Sequence, residues 1–295
     1  LSVFRGRAFG LLGPNGSGKT TTVRLLNHVI SPDSGQISLF GQRMSVENSD
    51  LVRSRVGVQT DTNIYESLTA RENLLFWAEL YDVPKRERVP RVNELLEVME
   101  LTERARSLAG TFSKGMRQKL SVARAIIHRP ELLFLDEPAT GLDPEASTQL
   151  IDYLRAMVRA EGTTLVMCTH HLDGLETLCY DVGILLAGKM IATGSVDELV
   201  AARWPGHWVT VECGDTDPAT LGAAQQIAEA MGPEVTATAT ETGKLLVSMP
   251  SPEHTERLIA DLVRADIAVR SVVPVHRSIA DVYFDVVGAA RGGAA

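Results

Sequence analysis

The feature that most constrains the fold of this chain is an eight-residue stretch near its start. Residues 13–20 spell Gly-Pro-Asn-Gly-Ser-Gly-Lys-Thr and match the pattern G-x-x-x-x-G-K-[ST] at every fixed position. A strand is predicted before it, at Arg7–Leu12, and a helix after it, at Lys19–Val29. A glycine-rich turn between a strand and a helix lets backbone N–H groups and the positive helix end converge on an anion. The sequence therefore predicts a phosphate site on an α/β fold.

The side chains of this loop have separate expected roles. Lys19 would reach the β- and γ-phosphates of a nucleoside triphosphate, and the Thr20 hydroxyl would bind Mg²⁺. The alternative is a strand–helix turn that only resembles the motif. The residues predicted here to bind the nucleotide are Gly13, Pro14, Asn15, Gly16, Ser17, Gly18, Lys19, Thr20 and Thr21.

Two carboxylates follow a second apolar run, Leu132–Leu135, which suits a buried parallel strand. Ligand sites in such sheets lie at the carboxyl ends of the strands. Asp136 would hold Mg²⁺, directly or through water, and Glu137 would act as general base toward the attacking water. The alternative is a solvated acidic turn, which the phosphate loop makes less favoured.

Composition limits the class of protein. The chain has 295 residues, 44% of them apolar, and a net charge of −8. This acidity argues against non-specific binding of nucleic acid, which needs many basic contacts. No apolar run is long enough to span a membrane. The three cysteines, Cys168, Cys179 and Cys213, form no zinc or disulfide pattern.

Alternating strand and helix patterns predict an α/β fold with a mainly parallel sheet in a first domain, residues 1–200. A helical subdomain is predicted at about 62–129, between the two nucleotide motifs. Residues 207–288 follow a β-α-β-β-α-β order, which predicts a small α+β ferredoxin-like domain. Its last helix is predicted at Ile279–Val287, and the tail 289–295 is expected to be disordered.

Over about residues 1–200, these motifs and their order resemble an ATP-binding cassette (ABC) transporter ATPase. Gln59 resembles the glutamine that, in the family, touches Mg²⁺ and the water and relays to a membrane subunit. His170 resembles the family's switch histidine, which hydrogen-bonds the γ-phosphate. His171 is expected on the surface of the first turn of a helix at Leu172–Tyr180. The resemblance thus implies Glu137, His170 and Gln59 as catalytic residues, and Thr20, Gln59 and Asp136 around the metal.

The segment Phe112-Ser-Lys-Gly-Met-Arg-Gln118 occupies the place of the family's Leu-Ser-Gly-Gly-Gln signature. It retains Ser113 and Gly115 but departs at Phe112, Lys114 and Met116. In the family this signature grips the γ-phosphate of ATP held by an opposite subunit, which implies a homodimer. The alternative is a plain N-cap at Ser113 for a helix predicted to end at His128.

Asp143, in Ala-Thr-Gly-Leu-Asp, resembles the family's dimer-interface loop, and it could also cap the helix that starts at Pro144. From Arg104 to Pro130 there are seven basic residues and no acidic ones. Such a stretch suits a triphosphate, although a solvated basic helix face is the alternative. For most of the individual side chains the solvated helix face is the favoured interpretation, while the stretch as a whole is expected to face the phosphates.

The resemblance implies an ATPase that powers a separate integral-membrane permease from the cytoplasmic face, with ATP and Mg²⁺ as cofactors and without nucleic acid. The signature variant, and an ending at Val275–Phe284 similar to export-type ATPases, favour export of a drug, antibiotic or lipid-like substrate over import. The alternatives are an ABC-type ATPase acting on nucleic acid or ribosomes, and a regulatory nucleotide-binding module without turnover.

The family usually stacks adenine on an aromatic residue upstream of the phosphate loop. Phe4 and Phe9 are too close to Gly13 for that role. We therefore expect the aromatic residue on a strand preceding Leu1, and weak adenine binding by this chain as given.

Overall fold

The computed structural model describes residues 1–60, 64–170, 172 and 175–292. Its contacts divide the chain into two compact units. The first comprises Leu1–Val196 together with the residues that follow Asp285, and the second comprises Asp197–Asp285.

The first unit is built on a six-stranded sheet in the order β4-β5-β6-β1-β7-β8, with a separate two-stranded ribbon of β2 and β3. The strands are β1 (Ala8–Leu12), β2 (Ser38–Leu39), β3 (Gln42–Arg43), β4 (Val56–Gln59), β5 (Leu132–Asp136), β6 (Thr164–Thr169), β7 (Asp181–Leu186) and β8 (Lys189–Ser195). From β4 to β7 every neighbouring pair is parallel, and only β8 is antiparallel to its neighbour. The predicted mainly parallel sheet is confirmed.

Continuous apolar runs form the central strands because both faces of this sheet are covered. Every residue of β1 and of β5 is buried, as expected for parallel strands between layers of helices. Phe9 and Leu11 of β1 share one apolar core with Phe134 and Val166 of the neighbouring strands.

Local signals in the sequence fix where several helices begin. Thr69 and Glu72 form a capping box, and Ser113 and Asp143 each accept an N-cap hydrogen bond. The helices of this unit are α1 (Lys19–Leu26), α2 (Ser49–Arg53), α3 (Ala70–Leu80), α4 (Lys85–Val98), α5 (Lys114–Ala125), α6 (Pro144–Ala156) and α7 (Leu175–Leu178). Short 3₁₀ turns at Thr102–Arg104 and Ala109–Thr111 join α4 to α5, and a π turn, Met157–Glu161, follows α6.

The second unit has the strand order β10-β11-β9-β12, with all neighbours antiparallel. This is the ferredoxin-like arrangement predicted from the order of elements. Its apolar core lies between the sheet and two helices, α9 and α10. The remaining elements of the chain are α8 (Val196–Arg203), β9 (His207–Cys213), α9 (Pro218–Glu229), β10 (Thr236–Ala239), β11 (Leu245–Met249), α10 (His254–Arg264), β12 (Val269–Pro274) and α11 (Ile279–Gly292).

Four predicted helix ends are wrong. Helix α1 ends at Leu26, not Val29, because the Asn27 side chain bonds to the Val23 carbonyl and His28 turns left-handed, with φ of 55°. Helix α5 ends before His128, because Arg129 has a positive φ and precedes a proline, which disfavours helical backbone.

The third wrong end is that of α11, which continues to Gly292. Alanines of high helix propensity extend the helix, so the disorder expected from residue 289 is corrected as far as 292, while 293–295 lie outside the described residues. Of the helix predicted at Leu172–Tyr180, the structure has Leu175–Leu178. The surface position expected for His171 lies outside the described residues.

Within the described part of the chain, no helix is both long and apolar enough to cross a bilayer.

Candidate nucleotide site

The glycine-rich loop leaves the sheet at its centre, because β1 pairs with β6 on one side and β7 on the other. Gly16 and Gly18 have φ of 79° and 106°, the left-handed region that favours glycine. A Cβ on Gly13 would lie 2.4 Å from the Leu185 carbonyl oxygen. The loop can therefore follow this path only with glycine at these positions.

The Lys19 side chain is folded back over its own loop. Its Nζ donates to the Gly13 carbonyl over 2.7 Å and to the Pro14 carbonyl over 3.3 Å. The same Nζ lies 3.6 Å from Oε1 of Glu137. The side chain is 6% exposed, so its charge is held at the start of α1, where a phosphate would meet it.

Side chains with oxygen atoms lie on α1 beside the loop and at the ends of two neighbouring strands. The Thr20 hydroxyl, on α1, donates to Oδ2 of Asp136, the last residue of β5. Gln59 ends the neighbouring strand β4, opposite Leu135. Its Oε1 is buried and has no hydrogen-bond partner among the described residues. Hydroxyl, carboxylate and amide oxygens are the ligands that Mg²⁺ prefers, and an unpaired buried acceptor fits a cation, so these residues could hold Mg²⁺.

Glu137 follows β5 directly and is held by residues at the end of β6. Its Oε2 accepts from the Thr169 hydroxyl over 3.1 Å. Its Oε1 accepts from the His170 backbone N–H over 3.0 Å and lies 2.7 Å from His170 Nδ1. The backbone N–H of Glu137 donates to the Cys168 carbonyl over 2.8 Å. The carboxylate therefore has a fixed position beside Lys19.

Cys168 packs beneath this group of residues. Burial, reinforced by the nearby Asp136 carboxylate, raises the pKa of the Cys168 thiol above its ordinary value. A thiol kept protonated is a poor nucleophile. The residue therefore serves packing, and the chemistry at this edge of the sheet rests on oxygen and nitrogen groups.

Among the described residues, no hydrogen bond or ion pair joins Ser113, Gly115 or Asp143 to Lys19 or Glu137. The Ser113 hydroxyl accepts from the Met116 N–H over 3.2 Å, and Asp143 accepts from the Ala146 N–H over 2.9 Å. The latter bond lowers the pKa of the Asp143 carboxyl. The N-cap alternatives are thus both observed. They leave a role toward a second subunit open, because an N-capped helix still presents its positive end.

Gly115 ties the start of α5 to the loop that precedes α6. A Cβ on Gly115 would lie 2.9 Å from the Gly141 carbonyl oxygen, and the aliphatic part of Lys114 passes over Gly141. Lys114, which replaces the first glycine of the family signature, therefore packs along this loop with its stem.

The basic stretch from Arg104 to Pro130 mostly serves the helical region, which corrects the expectation that it faces the phosphates. Arg117 pairs with Glu66, and Lys119 pairs with Glu100. The Arg124 guanidinium lies over the Trp77 ring, 4.9 Å from its centroid. These side chains lie on a helix face, as the alternative of a basic helix face predicts, but there they pair with acidic and aromatic partners instead of being solvated.

Sequence reasoning missed two residues that contact Glu137. Thr169 bonds to the carboxylate, and Gln118 donates from α5 to the Glu137 and Pro138 carbonyls. Thr169 could have been found as the polar end of a buried strand next to His170. Gln118 gave a weaker signal, a polar side chain on the buried face of an amphipathic helix.

The site comprises a glycine-rich loop between a strand and a helix, a threonine hydroxyl bonded to a carboxylate, and a second carboxylate fixed beside a buried lysine. Together, at one edge of a mainly parallel sheet, these features define a P-loop nucleotide-binding protein. The sequence model of the ABC transporter family matches residues 1–140. The daunorubicin resistance ATP-binding protein DrrA3 of Streptomyces coeruleorubidus is 36% identical over 266 residues, which cover 90% of this chain and 81% of that protein. The chain therefore belongs to the ABC transporter family.

Further relatives carry similar names. The daunorubicin/doxorubicin resistance ATP-binding protein DrrA of Streptomyces peucetius is 33% identical over 290 residues, covering 98% of this chain and 86% of that protein. The linearmycin resistance ATP-binding protein LnrL of Bacillus subtilis is 37% identical over 200 residues, 68% of this chain and 64% of that protein. The chain thus spans less than two thirds of LnrL.

Solved structures share the fold of the first unit. An ATP-binding subunit of an ABC transporter has a TM-score of 0.64 and 32% identity, covering 69% of this chain and 84% of that one. A dimeric ATP-binding cassette bound to ADP and Pi has a TM-score of 0.61 over 66% of this chain and 88% of that one, at 23% identity. The second likeness concerns the fold alone.

Proposed function

We propose that this chain hydrolyses ATP to power export of a drug, antibiotic or lipid-like substrate through a separate membrane permease. The observation that carries the proposal is the position of Glu137, whose Oε1 lies 3.6 Å from the ammonium group of Lys19. A carboxylate fixed beside a phosphate-binding lysine is placed to act on a water that attacks the γ-phosphate. The names of the resistance proteins to which the chain is similar support the export direction.

Some of these residues bind the nucleotide and others act in hydrolysis. The loop N–H groups and Lys19 bind the phosphates and offset their negative charge. Thr20, Asp136 and Gln59 would hold Mg²⁺, which when bound would neutralise the triphosphate. Glu137 orients the water and takes its proton, with the carboxylate held by Thr169 and His170. Once the γ-phosphate is bound, His170 can turn its imidazole toward it.

Two copies of the chain are proposed to close on two ATP molecules. Ser113 and Gly115 lie at the start of α5, whose N-terminal end carries partial positive charge. Within the described residues, neither Ser113 nor Gly115 bonds to Lys19 or Glu137 of the same chain. The surface is suited to bind the γ-phosphate of ATP held by a second copy. Asp143 follows Gly141 by two residues, and a Cβ on Gly115 would lie 2.9 Å from the Gly141 carbonyl oxygen.

The permease is proposed to receive the closing motion through Gln59 and the helical region of about 62–129, at the cytoplasmic face of the membrane. The ferredoxin-like unit is proposed as an accessory domain over residues 207–288, following a cassette over 1–200. An action on nucleic acid is not favoured, because the relatives at 33–37% identity carry resistance names.

The experiment is to compare Mg²⁺-dependent ATP hydrolysis by the wild type and by Glu137→Gln. Removing a general base should lower kcat by about 10²- to 10⁴-fold while ATP still binds. Glu145→Gln, an exposed change of the same chemistry on α6, serves as the control and should leave kcat unaltered. Equal rates for wild type and Glu137→Gln would refute the proposal.

A further inference from the structure

Glu137 adopts a backbone conformation that residues other than glycine rarely adopt. Its φ is 52°, in the left-handed region, where the Cβ crowds the following carbonyl. Such a backbone persists only when its surroundings hold it. Because the carboxylate is reached through this backbone, whatever holds the left-handed turn also sets where the carboxylate points.

One side chain from another element holds the turn on its carbonyl side. The amide Nε2 of Gln118, on α5, donates to the Glu137 carbonyl over 3.2 Å and to the Pro138 carbonyl over 3.0 Å. Gln118 is 5% exposed. Two carbonyl oxygens as neighbours require the NH₂ end of the amide there, so both of its hydrogens are used.

The backbone of Glu137 is otherwise tied by two main-chain bonds. Its N–H donates to Cys168 over 2.8 Å, and its carbonyl also accepts from Thr140 over 3.1 Å. Gln118 is thus the side chain that adds a second donor to this carbonyl and reaches the next one. It fixes two consecutive peptide groups at the point where the chain leaves β5.

We propose that Gln118 is a positioning residue for hydrolysis, which acts through the Glu137 backbone and touches neither nucleotide nor water. This inference rests on the proposed function. Its ground is that a buried donor from α5 stabilises a strained residue whose side chain is the general base. Without that donor the turn relaxes, the carboxylate moves, and the water is poorly oriented.

The variant that tests the proposal is Gln118→Met, which keeps the length of the side chain and removes the donor. A displacement of about 1 Å at a catalytic group can cost on the order of 10²-fold, and we expect kcat to fall by about 10-fold or more. The KM for ATP and the Kd for ADP should stay within about 2-fold, as for an interaction used only in the transition state. Gln118→Asn, which is too short to reach both carbonyls, should show a smaller loss and serves if the Met variant does not fold.

A merely structural role is distinguished by a double-mutant cycle in single-turnover hydrolysis. In the Glu137→Gln background, Gln118→Met should cause no further loss, because both changes act through one carboxylate. Losses that multiply would overturn the proposal, as would an unchanged kcat in the single variant or equal changes in KM and kcat. Gln149→Met, an exposed residue on α6, controls for the substitution itself. If wild type does not hydrolyse ATP, the proposed function fails first, and the Gln118 proposal fails with it.

Discussion

His170 and Glu137 approach each other at the edge of the sheet, where the backbone N–H of His170 donates to Glu137 Oε1 over 3.0 Å and the imidazole Nδ1 lies 2.7 Å from the same oxygen. The residues follow two neighbouring strands, β6 and β5. The orientations of the carboxylate and the imidazole are therefore set together. One of the two contacts survives any substitution of the histidine except proline, because its donor is the backbone N–H.

Because the backbone contact remains, we predict that losing the histidine side chain lowers hydrolysis only in part. His170→Ala should lower kcat by about 10- to 100-fold, less than Glu137→Gln, because the backbone donor still holds the carboxylate. Steady-state ATP hydrolysis at saturating ATP measures the effect. A loss in His170→Ala larger than in Glu137→Gln would contradict this order.

Lys19→Ala should abolish measurable binding of ATP. The ammonium group is the buried cation at the phosphate loop, and a charge-assisted contact with phosphate is lost with it. Binding can be followed by fluorescence of a labelled nucleotide. Lys189→Ala, at an exposed site, is the control. Unchanged binding in Lys19→Ala would remove the basis for the nucleotide site.

Removal of Mg²⁺ should matter less to an Asp136 variant. In wild type, ATP with Mg²⁺ should raise the Tm more than ATP with EDTA, because the metal adds binding free energy to the folded state. In Asp136→Asn that difference should shrink, since the carboxylate beside Thr20 is lost. Thermal unfolding under both conditions is the measurement, and an undiminished difference would argue against Asp136 as a metal residue.

Mild acid should destabilise the protein through His128. Burial lowers the pKa of His128 from 6.5 to about 4, and the nearby Arg91 acts in the same direction. The unfolded chain therefore binds a proton between about pH 6.5 and pH 4 that the folded one does not, and the free energy of unfolding falls as pH falls through that window.

The loss of unfolding free energy attributable to His128 should be about 2 kcal/mol. This lies below the upper limit that a pKa difference from 6.5 to about 4 sets at ~1.36 kcal/mol per unit. Denaturant unfolding of wild type and His128→Phe at several pH values isolates this contribution. The phenylalanine retains a ring against Tyr81, which stacks on His128 at 3.9 Å. Parallel pH profiles for the two proteins would show that His128 does not contribute.

Two glycines should respond in opposite ways to alanine. A Cβ on Gly57 in β4 would lie 2.2 Å from the backbone oxygen of Ala125, so Gly57→Ala should cost about 1–3 kcal/mol. Gly222, within α9, has open space, and Gly222→Ala should stabilise by about 0.5–1 kcal/mol. Chemical denaturation measures both. A neutral Gly57→Ala would mean that α5 can move away from β4.

The element types were predictable because periodicity and punctuation agree in this sequence. The apolar runs that became β1 and β5 are too short for helices, and glycine or acidic residues end them. Helix ends were less predictable, because they depend on contacts such as the Asn27 amide on the Val23 carbonyl. The hydrophobic periodicity of the sequence does not show whether a side chain or a backbone group will bond to that carbonyl.

The candidate site shows the same division. The loop glycines and Lys19 stand in one contiguous segment, so sequence alone located them. Gln118 and Glu137 meet only because α5 packs beside the turn after β5, and spacing along the chain carries no trace of that contact. The expectation that the basic stretch from Arg104 to Pro130 faces the phosphates failed for a related reason. The acidic partners Glu66 and Glu100 lie outside the basic stretch, and only folding brings them to it.

The central position of β1 has a consequence for biosynthesis. This strand, Ala8–Leu12, is translated long before its two neighbours, β6 and β7, which begin at Thr164 and Asp181. The phosphate loop that follows β1 cannot be locked in place until both have been translated. Between translation of the loop and translation of β7, a nascent chain therefore carries the complete phosphate-loop sequence without a site, and nucleotide can first be retained only once β7 has been made.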